Sequence, residues 1–569
     1  MAFLAPWVAV RTAAAARLDV DWSRPWKDPA GRNLQGLSSR IEPVWCRINI
    51  WLPWKRWNPD DPASLPRFEP FVSEAALIMA TGARPDGPYS VPDLYRDSAG
   101  RMLPFDPSHP FFAALKLLRD RHLRPVIDVG PVPARLSPGG IARPGPFEWN
   151  TAGPADAEAH YRYLKALFGY VRDSLGIPRE QVAGWGWQLG REPDNKDSWN
   201  PRNSDRHADP GNLEEYERLF DCSLAALRDA GLGPLQPGNL VTTLPGSLGF
   251  ASDAWTAPFL DFLAHGPNRC PDHLVLPRFR PGRDTLVLGF SAYGGAASTQ
   301  IGRDPRRLAD LADRLRWAAE SRFPGVVVRL NASEGNFMED GAGLNRSDGT
   351  ARGAAWNAGI WKLALDEGLQ RYQQWGFVSA DHISRFSEHG GLPSAPANVA
   401  EMYRRMQGET RASARLKRGF LDPVEGWPDA IASGSDSVRH LLVFRFDAKE
   451  GARGSDDVEI FGRGLVPGRA YAVRHYLVDA EHSSYLEAWH RDLAAAGLKL
   501  ASPDDACMEF QFGEAHRKLW EANKQVYQRR ARLTGPAEDS SVVVQADSAG
   551  RIRKRLILEA NSVSLLEFR

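Results

Sequence analysis

Between residues 40 and 380, short apolar runs alternate with longer stretches whose apolar positions recur at helical spacing. The short runs predict strands at 44–50, 76–79, 125–129, 184–189, 240–244, 285–290, 326–330 and 374–378. The longer stretches predict helices. In one, Tyr161, Leu164, Leu167, Phe168, Val171 and Leu175 share a face, and in another Leu213, Tyr216, Leu219, Phe220, Leu224 and Leu227 do. A third is expected to open with Asp304 as N-cap and Pro305 in its first turn, with Leu308, Leu311 and Leu315 on one side. Eight strands alternating with helices predict an α/β fold, a (β/α)8 TIM barrel with some long loops. An open doubly wound sheet is the rival. It would often carry GxGxxG after its first strand, and none is found there.

After about residue 415 the pattern becomes one of strands and turns, with strands expected at 440–446, 470–478, 541–545, 553–558 and 562–568. Turn-rich segments such as Asp447-Ala-Lys-Glu-Gly451 and Val466-Pro-Gly-Arg469 separate some of them, which predicts a C-terminal β-sandwich domain. A charged helix at 512–530 interrupts it, and 15–21 is expected to add a strand to it. The chain thus divides into an N-terminal segment 1–35 that joins the sandwich, a barrel 36–412 and a sandwich 413–569 with its helical insertion.

Composition narrows the function. Lys and Arg number 71 against 70 Asp and Glu, so the chain as a whole has no electrostatic reason to seek nucleic acid or an acidic membrane. No apolar run approaches the roughly 18 residues that a membrane span needs. Cys46, Cys222, Cys270 and Cys507 are far apart and form no CxxC pair, which speaks against a disulfide framework or a zinc knuckle. The 13 His are dispersed, and HExxH, EF-hand and P-loop patterns are missing, so neither a metal nor a cofactor is expected. Gly289-Phe-Ser-Ala-Tyr293 comes near the GxSxG elbow but ends on Tyr. The N-terminus has no basic stretch before its apolar residues, and a cytoplasmic location is expected. Trp outnumbers Tyr, 19 to 13. Most indoles fill cores, yet their faces also stack on the C–H face of a pyranose.

In a closed parallel barrel the working residues stand at the carboxyl ends of strands. Glu192 ends Trp185-Gly-Trp-Gln-Leu-Gly-Arg-Glu192 and is followed by Pro193; Glu334 ends Val326-Val-Val-Arg-Leu-Asn-Ala-Ser-Glu334. Each alone reads as a solvated loop acid. Together they close the fourth and seventh expected strands, where two ends can face each other across the barrel mouth. A pair of carboxyl groups about 5–5.5 Å apart suits retaining glycoside hydrolysis.

These residues resemble glycoside hydrolase family 39 of the clan A barrels, which includes β-xylosidases and α-L-iduronidases. Leu123-Arg-Pro-Val-Ile-Asp-Val-Gly-Pro-Val-Pro-Ala-Arg-Leu136 is similar to its third strand and proline turn, and Trp185–Asp194 to its fourth-strand motif. Tyr476–Tyr485 with Trp489 resembles a sandwich segment that links back to the barrel; His482 within it is expected to be structural. The resemblance implies Glu192 as acid/base and Glu334 as nucleophile. It implies Arg47, Asn49, Trp51, Arg191, Ser291, Tyr293 and Asn336 around the substrate, with Trp54 and Trp199 as further aromatic candidates. Asp194, Asp197, Glu339 and Asp340 are expected to be solvated loop acids.

The pattern also departs from the family. Arg191 stands where the family has Asn, Ser291 where it has His, and Asn49 where it has His. Both carboxylates are kept while their polar neighbours change, which predicts altered specificity. The expectation is a retaining exo-glycosidase acting on an oligosaccharide or glycoside, with a pentosidase, a uronidase and an arabinoside-releasing enzyme all open. The alternative is a non-catalytic carbohydrate-binding protein on a degenerate barrel. No nucleic-acid or membrane partner is expected, and the sandwich offers a surface for a possible homo-oligomer.

Overall fold

A computed structural model describes residues 16–32, 39–41, 45–48, 74–79, 91–93, 95–96, 102–103, 105–145, 150–233, 235–239, 253–271, 278–295, 301–337, 347, 349–374, 392–417, 426–449, 451–498, 514–536 and 542–569. The first strand, β1 (Ala16–Pro25), belongs to the second of two β structures. The first structure is built from β2 (Trp45–Ile48), β3 (Glu74–Ile78), β6 (Arg124–Val129), β7 (Gly186–Arg191), β8 (Leu235–Asn239), β9 (Thr285–Gly294), β10 (Val327–Phe337) and β11 (Arg371–Gln374). Between β3 and β6 lie a short antiparallel pair, β4 (Tyr95–Arg96) and β5 (Met102–Leu103), and helix α1 (Pro110–Asp120). The eight strands run β8-β7-β6-β3-β2-β11-β10-β9, each neighbouring pair parallel.

Helices follow most of these strands: α2 (Ala157–Asp173) and α3 (Arg179–Ala183) after β6, α4 (Pro210–Asp229) after β7, and α5 (Asp253–His265) after β8. Then come α6 (Arg307–Glu320), α7 (Ala351–Asp366) and α8 (Ala395–Met406) after β9, β10 and β11. The apolar faces read from the spacing are the ones that pack. Tyr161, Leu164, Leu167, Phe168 and Val171 of α2 are buried, and Phe168 meets Trp187 of β7 edge-on at 5.0 Å between centroids. Asp209 caps α4, accepting from the Gly211 and Asn212 N–H groups at 2.8 and 3.3 Å.

The sheet curls round until β8 lies beside β9, but no ladder joins those two among the described residues. The expected (β/α)8 barrel is therefore corrected to a near-closed, barrel-like domain with one open seam. β8 reads Leu-Gln-Pro-Gly-Asn, and Pro237 has no N–H to give to a ladder. The strand expected at 240–244 lies outside the described residues, and β8 precedes it. Pro and Gly disguised β8 as a turn. Only Gln374 of the expected strand 374–378 is described, as the last residue of β11. The start of α6 is also corrected. Asp304 accepts from the Arg306 N–H at 3.0 Å in a preceding turn, and the helix begins at Arg307.

The second structure is a nine-stranded sheet made of β1 with β12 (Thr410–Lys417), β13 (Trp427–Gly434), β14 (Arg439–Phe446), β15 (Ser455–Arg463), β16 (Ala470–Val478), β17 (Val542–Gln545), β18 (Ile552–Glu559) and β19 (Ser562–Phe568). Its order is β17-β16-β19-β14-β13-β12-β1-β15-β18. The order folds back on itself, Trp22 of β1 meeting Phe568 of β19 edge-on at 5.4 Å between centroids, and its two halves are hydrogen-bonded into one continuous sheet. The N-terminal strand is the reason: Arg17 pairs with Lys417 on one side and Glu459 on the other, so β1 bridges the two groups of strands. Alternation then buries both faces of β14. Leu441 and Val443 enter the core of this β domain, while Leu442 and Phe444 join the core of the barrel beside α7.

Helices α9 (Leu486–Ala495) and α10 (Glu514–Arg530) lie between β16 and β17, where only the second was expected. Tyr485, Trp489, Trp520 and Tyr527 form their own aromatic cluster. This segment holds the barrel directly. Glu487 accepts from the Ala351 N–H at 2.6 Å at the start of α7, and Asn398 of α8 donates to the Ser483 and Ala531 carbonyls at 2.7 and 2.9 Å. Asp479 accepts from the Glu481 and His482 N–H groups, and the His482 ring sits 3.0 Å from the same carboxylate, a turn-stabilising place. Cys222 and Cys270 are free and buried, yet they are not isolated: their thiols share a hydrogen bond that, with burial, raises the Cys222 pKa. Among the described residues no helix is long and apolar enough to cross a membrane.

Candidate active site

On β7 the residues alternate between two environments. Trp187 and Leu189 join the core under the helices, which leaves Gln188 on the barrel-interior face. The strand then ends in an unusual backbone. Gly190 and Glu192 both have left-handed conformations, with φ of +67° and +48°. For a Glu followed by proline this is a strained state that its surroundings must hold.

Three contacts do so from below. The Tyr216 hydroxyl donates to the Leu189 carbonyl at 2.7 Å. Gly130, just beyond β6, presses so closely that a Cβ there would lie 2.6 Å from the Gly190 Cα. The loop after Glu192 closes back on it: the Asn195 N–H donates to the Glu192 carbonyl at 2.9 Å. Glu192 as a whole is 7% exposed, and its Oε2 accepts from Asn195 Nδ2 at 2.9 Å and more weakly from the Ser198 hydroxyl at 3.4 Å.

Gly130→Ala is expected to destabilise the protein by about 1–3 kcal/mol, because backbone cannot yield to the new methyl as a flexible side chain would. A thermal melt beside the unmodified protein checks this. An unchanged midpoint would show that β6 and β7 tolerate separation.

Glu334 was expected just past a strand end, but β10 continues to Phe337. What turns the side chain is a bulge. Leu330 and Ala332 pack under the helices, and so does Phe337, an odd interval that simple alternation forbids. The register explains it: Ala332 pairs with Phe290 and Glu334 with Ser291, so Ser333 is the extra residue. The slip puts Glu334 on the interior face with Asn331 and Ser291, fully buried. Gly335 then faces outward, where the Tyr372 hydroxyl occupies the space a Cβ would need.

The register thus sets Ser291 beside Glu334 and Tyr293 beside Asn336. Glu192 stands at the end of β7, with β8 and β9 between it and β10 across the seam. Arg191 pairs with Asn239 and Arg47 with Ala76 along the backbone; the side chains of Arg47, Arg191 and Asn336 lie outside the described residues. Asn49, Trp51, Trp54, Glu339 and Asp340 also lie outside them. Trp199 is a packing residue, buried with its indole N–H donating to the Asn212 carbonyl at 3.2 Å. Asp194 is buried, against the expectation of a solvated acid, while Asp197 is half-buried beside Lys196. Asn195 and Ser198 were overlooked. The available signal was their spacing, three and six residues after a strand-end Glu, where side chains fold back on a tight turn. Asp128 and Gln188, buried and paired in register across β6 and β7, were missed because an apolar run surrounds them.

No family model matches the chain, and no curated protein matches it significantly. Among solved structures, a family 39 glycoside hydrolase from Xanthomonas axonopodis pv. citri superposes with a TM-score of 0.64 at 13% identity, covering 99% of both chains. The fold is shared. A monomeric β-xylosidase from Caulobacter crescentus CB15 gives 0.61 at 12% identity over 98% of this chain and 99% of its own. The bacterial orthologue of human α-L-iduronidase gives 0.61 at 14% over 97% and 83%. At these identities the likeness to the barrel glycosidases is one of architecture, and activity has to be argued from the site.

Proposed function

We propose that this protein is a retaining exo-glycosidase of the family 39 type, its barrel acting as a (β/α)8 catalytic domain and its β domain as the accompanying sandwich. Glu334 attacks the anomeric carbon while Glu192 gives its proton to the departing glycosidic oxygen, so the aglycone leaves neutral and a glycosyl ester forms. Glu192, now ionised, takes a proton from water, which attacks the same carbon and releases the sugar with its original anomeric configuration. Arg47, Asn49, Trp51, Arg191, Ser291, Tyr293 and Asn336 shape the glycone subsite of an oligosaccharide or glycoside.

The observation that carries this proposal is the bulge at Ser333. A fully buried carboxylate is turned off the helix-facing side onto the interior face, beside Ser291, at the same end of the sheet as the strapped Glu192. A fold has little reason to turn a carboxylate inward and bury it there unless the site uses it. The test is hydrolysis of aryl xylosides, arabinosides, hexosides and uronides by the wild type and by Glu334→Gln. Release by the wild type alone is expected and names the glycone. Equal release by both would remove Glu334 from the chemistry, and tight oligosaccharide binding with no cleavage would favour a sugar-binding protein.

A further inference from the structure

Resting on that proposal, we infer that Asn195 is the positioning residue of the acid/base, fixing which oxygen of Glu192 carries the proton. The orientation of its amide is set independently of Glu192. Asn195 Oδ1 accepts from the Asp197 N–H at 3.0 Å, a backbone group that can only donate, so Nδ2 must point the other way. There it donates to Glu192 Oε2 at 2.9 Å.

The rest of Asn195 is tied down as well. Its N–H donates to the Glu192 carbonyl, its own carbonyl accepts from the Ser198 and Trp199 N–H groups, and the residue is 8% exposed. An oxygen that accepts an amide N–H in this geometry is a poor place for a proton, so the acid proton belongs on Oε1. A carboxylic acid whose two oxygens exchanged roles freely would present its proton to the glycosidic oxygen only part of the time. Asn195 supplies this amide from the loop that directly follows the carboxylate.

Two substitutions separate positioning from mere support of the loop. Asn195→Ala loses both the turn and the donor. Asn195→Asp keeps an oxygen for the Asp197 N–H but replaces the donor by a second carboxylate oxygen. If Asn195 only supports the loop, Asp should be the milder change. If it positions the acid, Asp should be at least as harmful as Ala.

The experiment compares kcat on phenyl and dinitrophenyl glycosides of the sugar that the wild type cleaves, with thermal melts confirming that each variant is folded. The expected result is a loss of about tenfold to a hundredfold on the phenyl glycoside for both variants, Asp no better than Ala. On the dinitrophenyl glycoside, whose departure needs no acid, the loss should be under about threefold, and KM should barely change. An Asp variant near wild type, or equal losses on both aglycones, would overturn the inference while leaving the glycosidase proposal intact. No cleavage of any glycoside by the wild type would overturn the proposal itself.

Discussion

Glu192→Ala is expected to lower kcat on phenyl glycosides by about 10²–10⁴-fold, the usual worth of a general acid, with the fold intact. The loss should depend on the leaving group. A dinitrophenolate departs without protonation, so the first step should proceed almost normally on that substrate. The second step should then slow, because no group is left to deprotonate water. Added azide, an anionic nucleophile that needs no base, should restore turnover and yield a glycosyl azide of retained configuration. Measuring both aglycones with and without azide checks this. A uniform loss with no azide effect would mean that Glu192 supports the strand end and does not act as the acid.

A second large effect is expected far from the site. Ser433, His440 and Glu567 sit opposite one another across β13, β14 and β19. His440 Nδ1 is 2.8 Å from the carboxylate of Glu409, and its Nε2 is 3.2 Å from that of Glu567. His440 and Glu567 are buried where the β domain meets α8, with Arg405 of that helix nearby. Burial works against charge on His440, but hydrogen bonds to both carboxylates outweigh it and raise the pKa above 6.5. Burial likewise opposes charge on Glu567, yet His440 and Arg569 bring it down to about 2 from 4.5.

The signs follow from linkage. The imidazolium contributes stability that is complete below the unfolded value of 6.5 and fades as pH rises through the higher folded value. Glu567 contributes stability that is complete above 4.5 and fades as pH falls toward about 2. Both act fully between those two unfolded values. His440→Ala leaves two carboxylates without their shared cation in a buried place, and should cost about 3–5 kcal/mol there. Urea unfolding at about pH 5.5 should show the full gap from wild type, and at about pH 9 a smaller one. A gap independent of pH would mean that His440 contributes packing and not charge.

Much of this architecture is readable from spacing alone. Apolar runs in a helical rhythm mark α2 and α4 because each must bury one face against a sheet. A strand-end Glu before proline marks the candidate acid. The shift to short strands after residue 415 marks the β domain. Strand β8 is the counterexample. Its Pro237 and Gly238 carry a local preference for a turn, and only pairing with β7 makes five residues a strand.

The sequence by itself determined where many of the strands and helices lie and which two carboxylates stand near strand ends, since these depend on residues close in the chain. The tertiary structure decided which way they face. Counted by alternation, Glu334 belongs with Leu330 and Ala332 under the helices. One extra residue at Ser333 moves it to the other side, and a bulge is a property of how β10 registers against β9. The hold of Asn195 on Glu192 belongs to the same class, because a loop's closing hydrogen bonds form only once its ends are placed by the sheet. So does the continuous β domain, which exists because β1, the first strand described, finds its partners some four hundred residues further on. Local rules choose the elements, and long-range register gives their side chains a direction.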